Sequence, residues 1–197
     1  MEVWKDNPKN AINMWEINSK SVWDLIGSGM VDTIDMNDRH PTISATAGFK
    51  YPLIISQSAL AGHPRRTEHW NIVALISKGQ GRVFELAGNY DTFTYVPKTI
   101  PFSSRMLNYR GGYLLCDIAQ DKLDWLEELL GTVTIIRHNP EFDCQTWVVS
   151  GVRKLQEEGL VPRDVTENLI REELEQEKER WEVADDTIVE RLTQNMG

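Results

Sequence analysis

Two short apolar runs, split by a glycine-bearing turn, do most to limit what this 197-residue chain can fold into. The first is His69-Trp70-Asn71-Ile72-Val73-Ala74-Leu75-Ile76. The second, Arg82-Val83-Phe84-Glu85-Leu86-Ala87, follows Lys78-Gly79-Gln80-Gly81. Both are rich in residues that suit a pleated surface, and the intervening glycines suit a turn, so the pair predicts an antiparallel hairpin. Side chains alternate along a strand. His69, Asn71, Val73 and Leu75 therefore share one face of the first run, and Val83, Glu85 and Ala87 share one face of the second. Antiparallel pairing brings Glu85 close to His69.

More strand signals flank the hairpin. Leu53-Ile54-Ile55 predicts a short strand before it, and the turn formers from Ala61 to Glu68 predict the connecting loop. Thr92 to Val96 predicts a strand closed by Pro97, and Gly112 to Ile118 predicts another. Cys116 lies inside that last apolar run and reads as core. Val133 to Ile136 predicts a brief strand.

Helical spacing appears in four places. Ala11, Met14, Trp15, Val22, Leu25 and Ile26 give a helix over residues 10 to 27, with Trp15 and Trp23 as packing anchors. Leu123, Leu126, Leu129 and Leu130 give a short amphipathic helix from Asp121, its expected N-cap. A third helix is expected from about Asp143 to Glu158, ending at Gly159. Past Val161-Pro162 a long polar helix opens at Asp164-Val165-Thr166-Glu167, with an intermittent stripe of Leu169, Ile170, Leu174 and Trp181. From residue 163 onward there are 5 Arg and Lys against 11 Asp and Glu, most of the net charge of −9.

The expected class is α+β: a mostly antiparallel sheet packed against a cysteine-bearing helix, with flanking N- and C-terminal helices. Residues 1–162 are expected to form the α+β domain, and residues 163–197 an acidic helical extension that lies along one side or mediates homo-oligomer formation. An acidic surface opposes non-specific binding to nucleic acid or anionic lipid. No apolar run is long enough to span a bilayer, and the first residues lack the layout of a signal peptide. Two cysteines make no disulfide framework. Together these point to a cytoplasmic protein that acts away from membranes.

The chemistry centres on Phe142-Asp143-Cys144-Gln145-Thr146-Trp147, which follows the loop Arg137-His138-Asn139-Pro140-Glu141. A thiol in the first turn of a helix sits near unpaired N–H groups and the positive end of the macrodipole, and both favour the nucleophilic thiolate. The usual fate of a free cysteine on an amphipathic helix is nevertheless that of a small buried hydrophobe. The helix by itself does not separate the two. A catalytic thiol also needs an imidazole to take its proton, and the imidazole needs an acceptor to orient it. His69 and Glu85 supply that pair.

His69-Trp70 opening a strand, a glycine turn, Val83 to Ala87, and later Asp143-Cys144 opening a helix resemble the layout of the lecithin:retinol acyltransferase family and the related permuted papain-fold thiol peptidases. The match spans roughly residues 65 to 160. Glu85 stands where that family usually has a second histidine, and Asp143 where it has asparagine. The resemblance implies a permuted papain-like fold and a cysteine-dependent acyl-transfer enzyme, with Cys144 as nucleophile, His69 as base and Glu85 as orienter. Backbone N–H groups at the helix start would hold the oxyanion. A carboxylate beside the thiol would oppose thiolate formation unless Asp143 turns away to cap the helix.

The substrate would be a small acyl or aminoacyl compound, with no cofactor and no metal. Arg65, Arg66, Trp70, Asn71 and Asp143 are the candidate substrate-binding residues, the two arginines as partners for a phosphate or carboxylate. Phe142 and Trp147 suit either a pocket wall or the core. The chain also has a general likeness to small fungal enzymes that build arginine-containing cyclic dipeptides. That likeness would make aminoacyl-tRNA a partner, against which the charge of −9 weighs. A contrasting class is a non-catalytic interaction module on the same scaffold. A metal site built on His63, His69 and acidic residues lacks ligand spacing, as do Asp35, Asp38 and His40, which read as a polar loop.

Overall fold

The computed structural model describes residues 48–61, 66–184, 186–194 and 196. The expected N-terminal helix, the Asp35–His40 loop, His63 and Arg65 lie outside the described residues. All those described fall within one compact unit, Ser44–Gly197.

Five strands form one antiparallel sheet: β1 (Lys50–Ala59), β2 (Glu68–Ser77), β3 (Gln80–Ala87), β4 (Thr94–Pro101) and β5 (Tyr109–Ala119). Their spatial order is β4-β3-β2-β1-β5. The expected hairpin is β2–β3, with Val73 opposite Val83 and Ile72 opposite Phe84. Its turn is tighter than the four residues expected. Only Lys78 and Gly79 separate the strands, and Gly79 takes a φ of 88°, a region that favours glycine. Gly81 is already in β3, where a larger residue would not fit: a Cβ would come within 2.8 Å of Val73 Cγ1.

β1 and β2 are central and covered on both faces, so Leu53, Ile54 and Ile55 and then Ile72 to Leu75 are buried consecutively. Successive side chains go to opposite sides. Leu53, Ile55, Trp70, Ile72, Ala74, Phe84 and Leu86 join one core. Helices α1 (Leu123–Gly131) and α2 (Cys144–Glu157) close it with Leu126, Leu130, Trp147, Val148 and Leu155. Ile54, Val73, Leu75, Val83, Phe102 and Tyr109 form the second core, closed by Val189 of α4 (Ile188–Thr193).

Several elements depart from expectation. Pro97 does not close the fourth strand. It lies inside β4, opposite Phe84, because β4 is a sheet edge and a missing N–H costs nothing on an open side. Val133 to Ile136 forms no strand: Val133 is a bend whose N–H donates to the Leu130 carbonyl at 3.1 Å, although it is buried. Asp121 does not cap α1. It lies in a 3₁₀ turn, Gln120–Lys122, and the N-cap of α1 is Lys122.

The acidic C-terminal segment forms two helices, α3 (Glu167–Ala184) and α4. Ile170 and Leu174 of α3 enter the first core, and α3 packs on β5. A buried carboxylate joins the two helices. Glu177 Oε2 accepts hydrogen bonds from Arg180 Nη1 and Arg191 Nη2, each 2.8 Å, and Glu177 also accepts from the Ile188 N–H. A charge this deep is tolerated because it is fully paired. Among the described residues, no helix is long and apolar enough to cross a membrane.

Candidate active site

Cys144 is the first residue of α2, and the local sequence explains why. Asp143 is extended, with φ −149° and ψ −176°, and its Oδ1 accepts the Thr146 N–H at 2.9 Å, the standard N-cap bond. Upstream, Asn139 Oδ1 accepts the Glu141 N–H at 2.9 Å, which turns the chain into the helix. Phe142 anchors that turn against Phe93, ring edge to face, with centroids 6.0 Å apart. At the other end Gly159, with φ 74°, follows the Glu158 C-cap.

Asp143 is thus engaged as the cap of α2. It is 4% exposed, and its second oxygen accepts from Arg66 Nε at 2.7 Å. Burial alone would raise its pKa, but the hydrogen bonds from Arg66 and Thr146 outweigh it and hold the carboxyl below its ordinary value. The negative charge next to the thiol is thus matched. The carboxylate that Arg66 binds is that of the cap, Asp143.

His69 is the second residue of β2. The β2–β3 ladder ends at Ile72 and Phe84, although β2 starts at Glu68 and β3 runs to Ala87. The imidazole thus sits at the end of the sheet, beyond the last β2–β3 pair, and the start of α2 meets it there. The Cys144 side chain lies close enough to the ring to raise the imidazole pKa. On β3, Glu85 Oε2 lies 3.6 Å from His69 Nε2, an ion-pair separation longer than a direct hydrogen bond. The structure brings Cys144, His69 and Glu85 together.

The electrostatics favour a charged imidazole. Burial opposes the charge, but Cys144 and Glu85 outweigh it and push the His69 pKa up to about 9. Glu85 moves the other way. Burial would raise its pKa, yet His69 and Lys98 hold the carboxyl below its ordinary value. Lys98 Nζ lies 2.5 Å from Glu85 Oε1. The second cysteine has a different environment. Burial, with Asp117 nearby, pushes the Cys116 thiol up to about 11.

The other expected contacts are distributed differently. Trp70 is 3% exposed and belongs to the core, with the Arg171 guanidinium 4.8 Å from its ring centroid. Trp147 and Phe142 are buried core residues as well. Asn71 is half-buried on β2 opposite Ser56, and its Oδ1 is buried without a hydrogen-bond partner among the described residues. Also among the described residues, no group of three or more His, Cys, Asp and Glu side chains is placed to hold a metal ion.

Sequence reasoning missed Lys98, Gln145 and Arg171. Ending the fourth strand at Pro97 removed Lys98 from consideration, although the register of an uninterrupted β3–β4 hairpin puts it opposite Val83, two residues from Glu85. Gln145 and Arg171 carry no local signal. Comparison with known protein families, curated proteins and solved structures found no match.

Proposed function

We propose that this protein is a cysteine-dependent acyl-transfer enzyme or thiol hydrolase, built as a permuted papain-like α+β domain. The observation that carries the reading is the contact of Cys144 with His69 and of His69 with Glu85, made by residues far apart along the chain. A buried thiol packed only as a hydrophobe needs neither an imidazole nor an oriented carboxylate.

With a His69 pKa of about 9, the ring carries its proton at neutral pH, held beside the sulfur. The Cys144 thiolate attacks an ester, thioester or amide carbonyl, forming a carbon–sulfur bond. The first-turn N–H groups of Cys144 and Gln145 have no intrahelical acceptor and are available to the oxyanion. As the tetrahedral intermediate collapses, His69 gives its proton to the leaving group and a thioester remains on Cys144. Water or an amine then attacks the thioester, loses a proton to His69 and expels the thiolate. Glu85 holds the ring and stabilises its charged form.

The narrower aminoacyl-tRNA reading has less support. It used Arg65 and Arg66 as phosphate partners, and Arg66 binds Asp143.

Intact-mass spectrometry after incubation with an activated ester, 4-nitrophenyl acetate, tests the proposal. The expected result is a single acetyl adduct on Cys144, absent in Cys144→Ala and strongly reduced in His69→Ala. With iodoacetamide near pH 7, Cys144 should react far faster than Cys116. Equal, slow labelling of both cysteines with no acyl adduct would favour the non-catalytic interaction module.

A further inference from the structure

We infer that Arg171, on the acidic helix α3, is a positioning residue that sets the placement of Cys144 against His69. The inference rests on the proposed catalytic pair and adds a reason for the C-terminal helix to be part of the domain.

Arg171 touches the chain neighbour of each catalytic residue. Its Nη1 donates to Gln145 Oε1 at 2.9 Å, and Gln145 directly follows Cys144. Its guanidinium lies over the ring of Trp70, which directly follows His69. The fork does not swing freely, because Nε and Nη2 both donate to Glu167 Oε1, at 3.1 and 2.8 Å. A planar guanidinium with several fixed donors orients its partners in a way an ammonium does not.

Gln145 completes the link. It is 2% exposed, and its Nε2 donates to the backbone oxygen of Glu68 at 2.9 Å. Glu68 directly precedes His69. One buried amide therefore ties the residue after the nucleophile to the residue before the base. Arg171 fixes that amide by holding its oxygen. Without Arg171, Oε1 loses this donor at a nearly buried position, and burying an unsatisfied amide oxygen is costly. The side chain would then reorient and release Glu68. A shift of about 1 Å between reacting groups is enough for a roughly hundredfold loss of rate.

A second α3–β2 contact serves as a control. Lys178 Nζ reaches the Glu68 carboxylate, Oε1, at 3.5 Å, a partly exposed ion pair made through the side chain and not through the backbone oxygen that Gln145 holds.

The test is the second-order rate of iodoacetamide alkylation of Cys144 from pH 5 to 10, below the unfolding temperature. The wild type, Arg171→Ala, Arg171→Lys, Lys178→Ala and His69→Ala are compared. The expected result for Arg171→Ala is at least a tenfold slower reaction near pH 7 and a profile that approaches that of His69→Ala. Arg171→Lys should recover only part of the rate, and Lys178→Ala should match the wild type. If Arg171→Ala does not fold, Arg171→Lys decides, since it keeps the stem and charge but not the fork. A wild-type rate and profile in the folded Arg171 variant, with only a lower Tm, overturns the inference. If the wild type itself has the profile of His69→Ala, it is the catalytic pair that fails, and the Arg171 comparison is not what decided it.

Discussion

Lys98 Nζ lies 2.5 Å from Glu85 Oε1, on the edge strand beside the one that carries Glu85. The carboxylate is thus shared between a lysine and the candidate base. Its charge attracts His69 but is partly balanced by Lys98, which limits how strongly it can hold the imidazolium.

Glu85→Gln removes that charge and keeps the shape. The His69 pKa should fall from about 9 toward its ordinary 6.5, because one of the two groups that raise it is gone. The alkylation profile of Cys144 should move to lower pH, with a roughly tenfold loss of acylation rate. Lys98→Met should act in the opposite direction, since Glu85 would then serve His69 alone. A profile unchanged in both variants would show that Glu85 does not influence the ring.

Folding stability should depend on His69 in the alkaline range. A histidine whose pKa is raised on folding stabilises the fold fully below its unfolded value, near 6.5. The contribution declines as pH rises through about 9 and is then lost. Its upper bound is about 3 kcal/mol. Urea unfolding of wild type and His69→Gln at pH 6 and pH 10 measures it. The difference between the two proteins should be large at pH 6 and small at pH 10.

Asp143→Ala should cost about 1 kcal/mol, the usual value of an N-cap, and lower Tm by several degrees. The carboxyl titrates below its ordinary 3.8 in the folded protein, so its stabilising effect is present above that pH. It is lost as pH falls through the lower folded value. The stability gap between wild type and variant should therefore close in strong acid. A gap of the same size at pH 2 would mean that the carboxylate is not the cap.

Trp147→Ala tests how α2 is docked. The ring is fully buried, and its centroid lies 5.6 Å from that of Tyr95, whose hydroxyl donates to the Glu127 backbone oxygen at 3.0 Å. Removing it should cost about 3–5 kcal/mol. Denaturant unfolding gives the loss, and alkylation of Cys144 should slow in parallel, because the start of α2 is placed by this packing.

The hairpin and α2 were legible because their signals are local. Gly79 has to turn the chain, Asp143 has to cap a helix, and Gly159 has to end one. Pro97 and the segment Val133 to Ile136 were misread for a different reason. Whether a proline is tolerated, or an apolar run becomes a strand, depends on the neighbouring strand, and that neighbour is not visible in the run itself. The partners of Arg66 and Trp70 were hidden for the same reason. An arginine near a histidine can serve a substrate or a cap, and the carboxylate it binds, Asp143, comes from a distant part of the chain.

By itself the sequence determined the β2–β3 hairpin, the helix that opens at Asp143-Cys144, and the presence of a thiol, an imidazole and a carboxylate. Alternation, capping and glycine conformations act over a few residues, and a few residues are enough to read them. Only the tertiary structure decided that the β2–β3 ladder stops before His69, that α2 begins at that point, and that α3 reaches both neighbours of the pair through Arg171. Those outcomes depend on how two cores fill opposite faces of one sheet, a sum over many distant contacts that no short stretch of sequence contains.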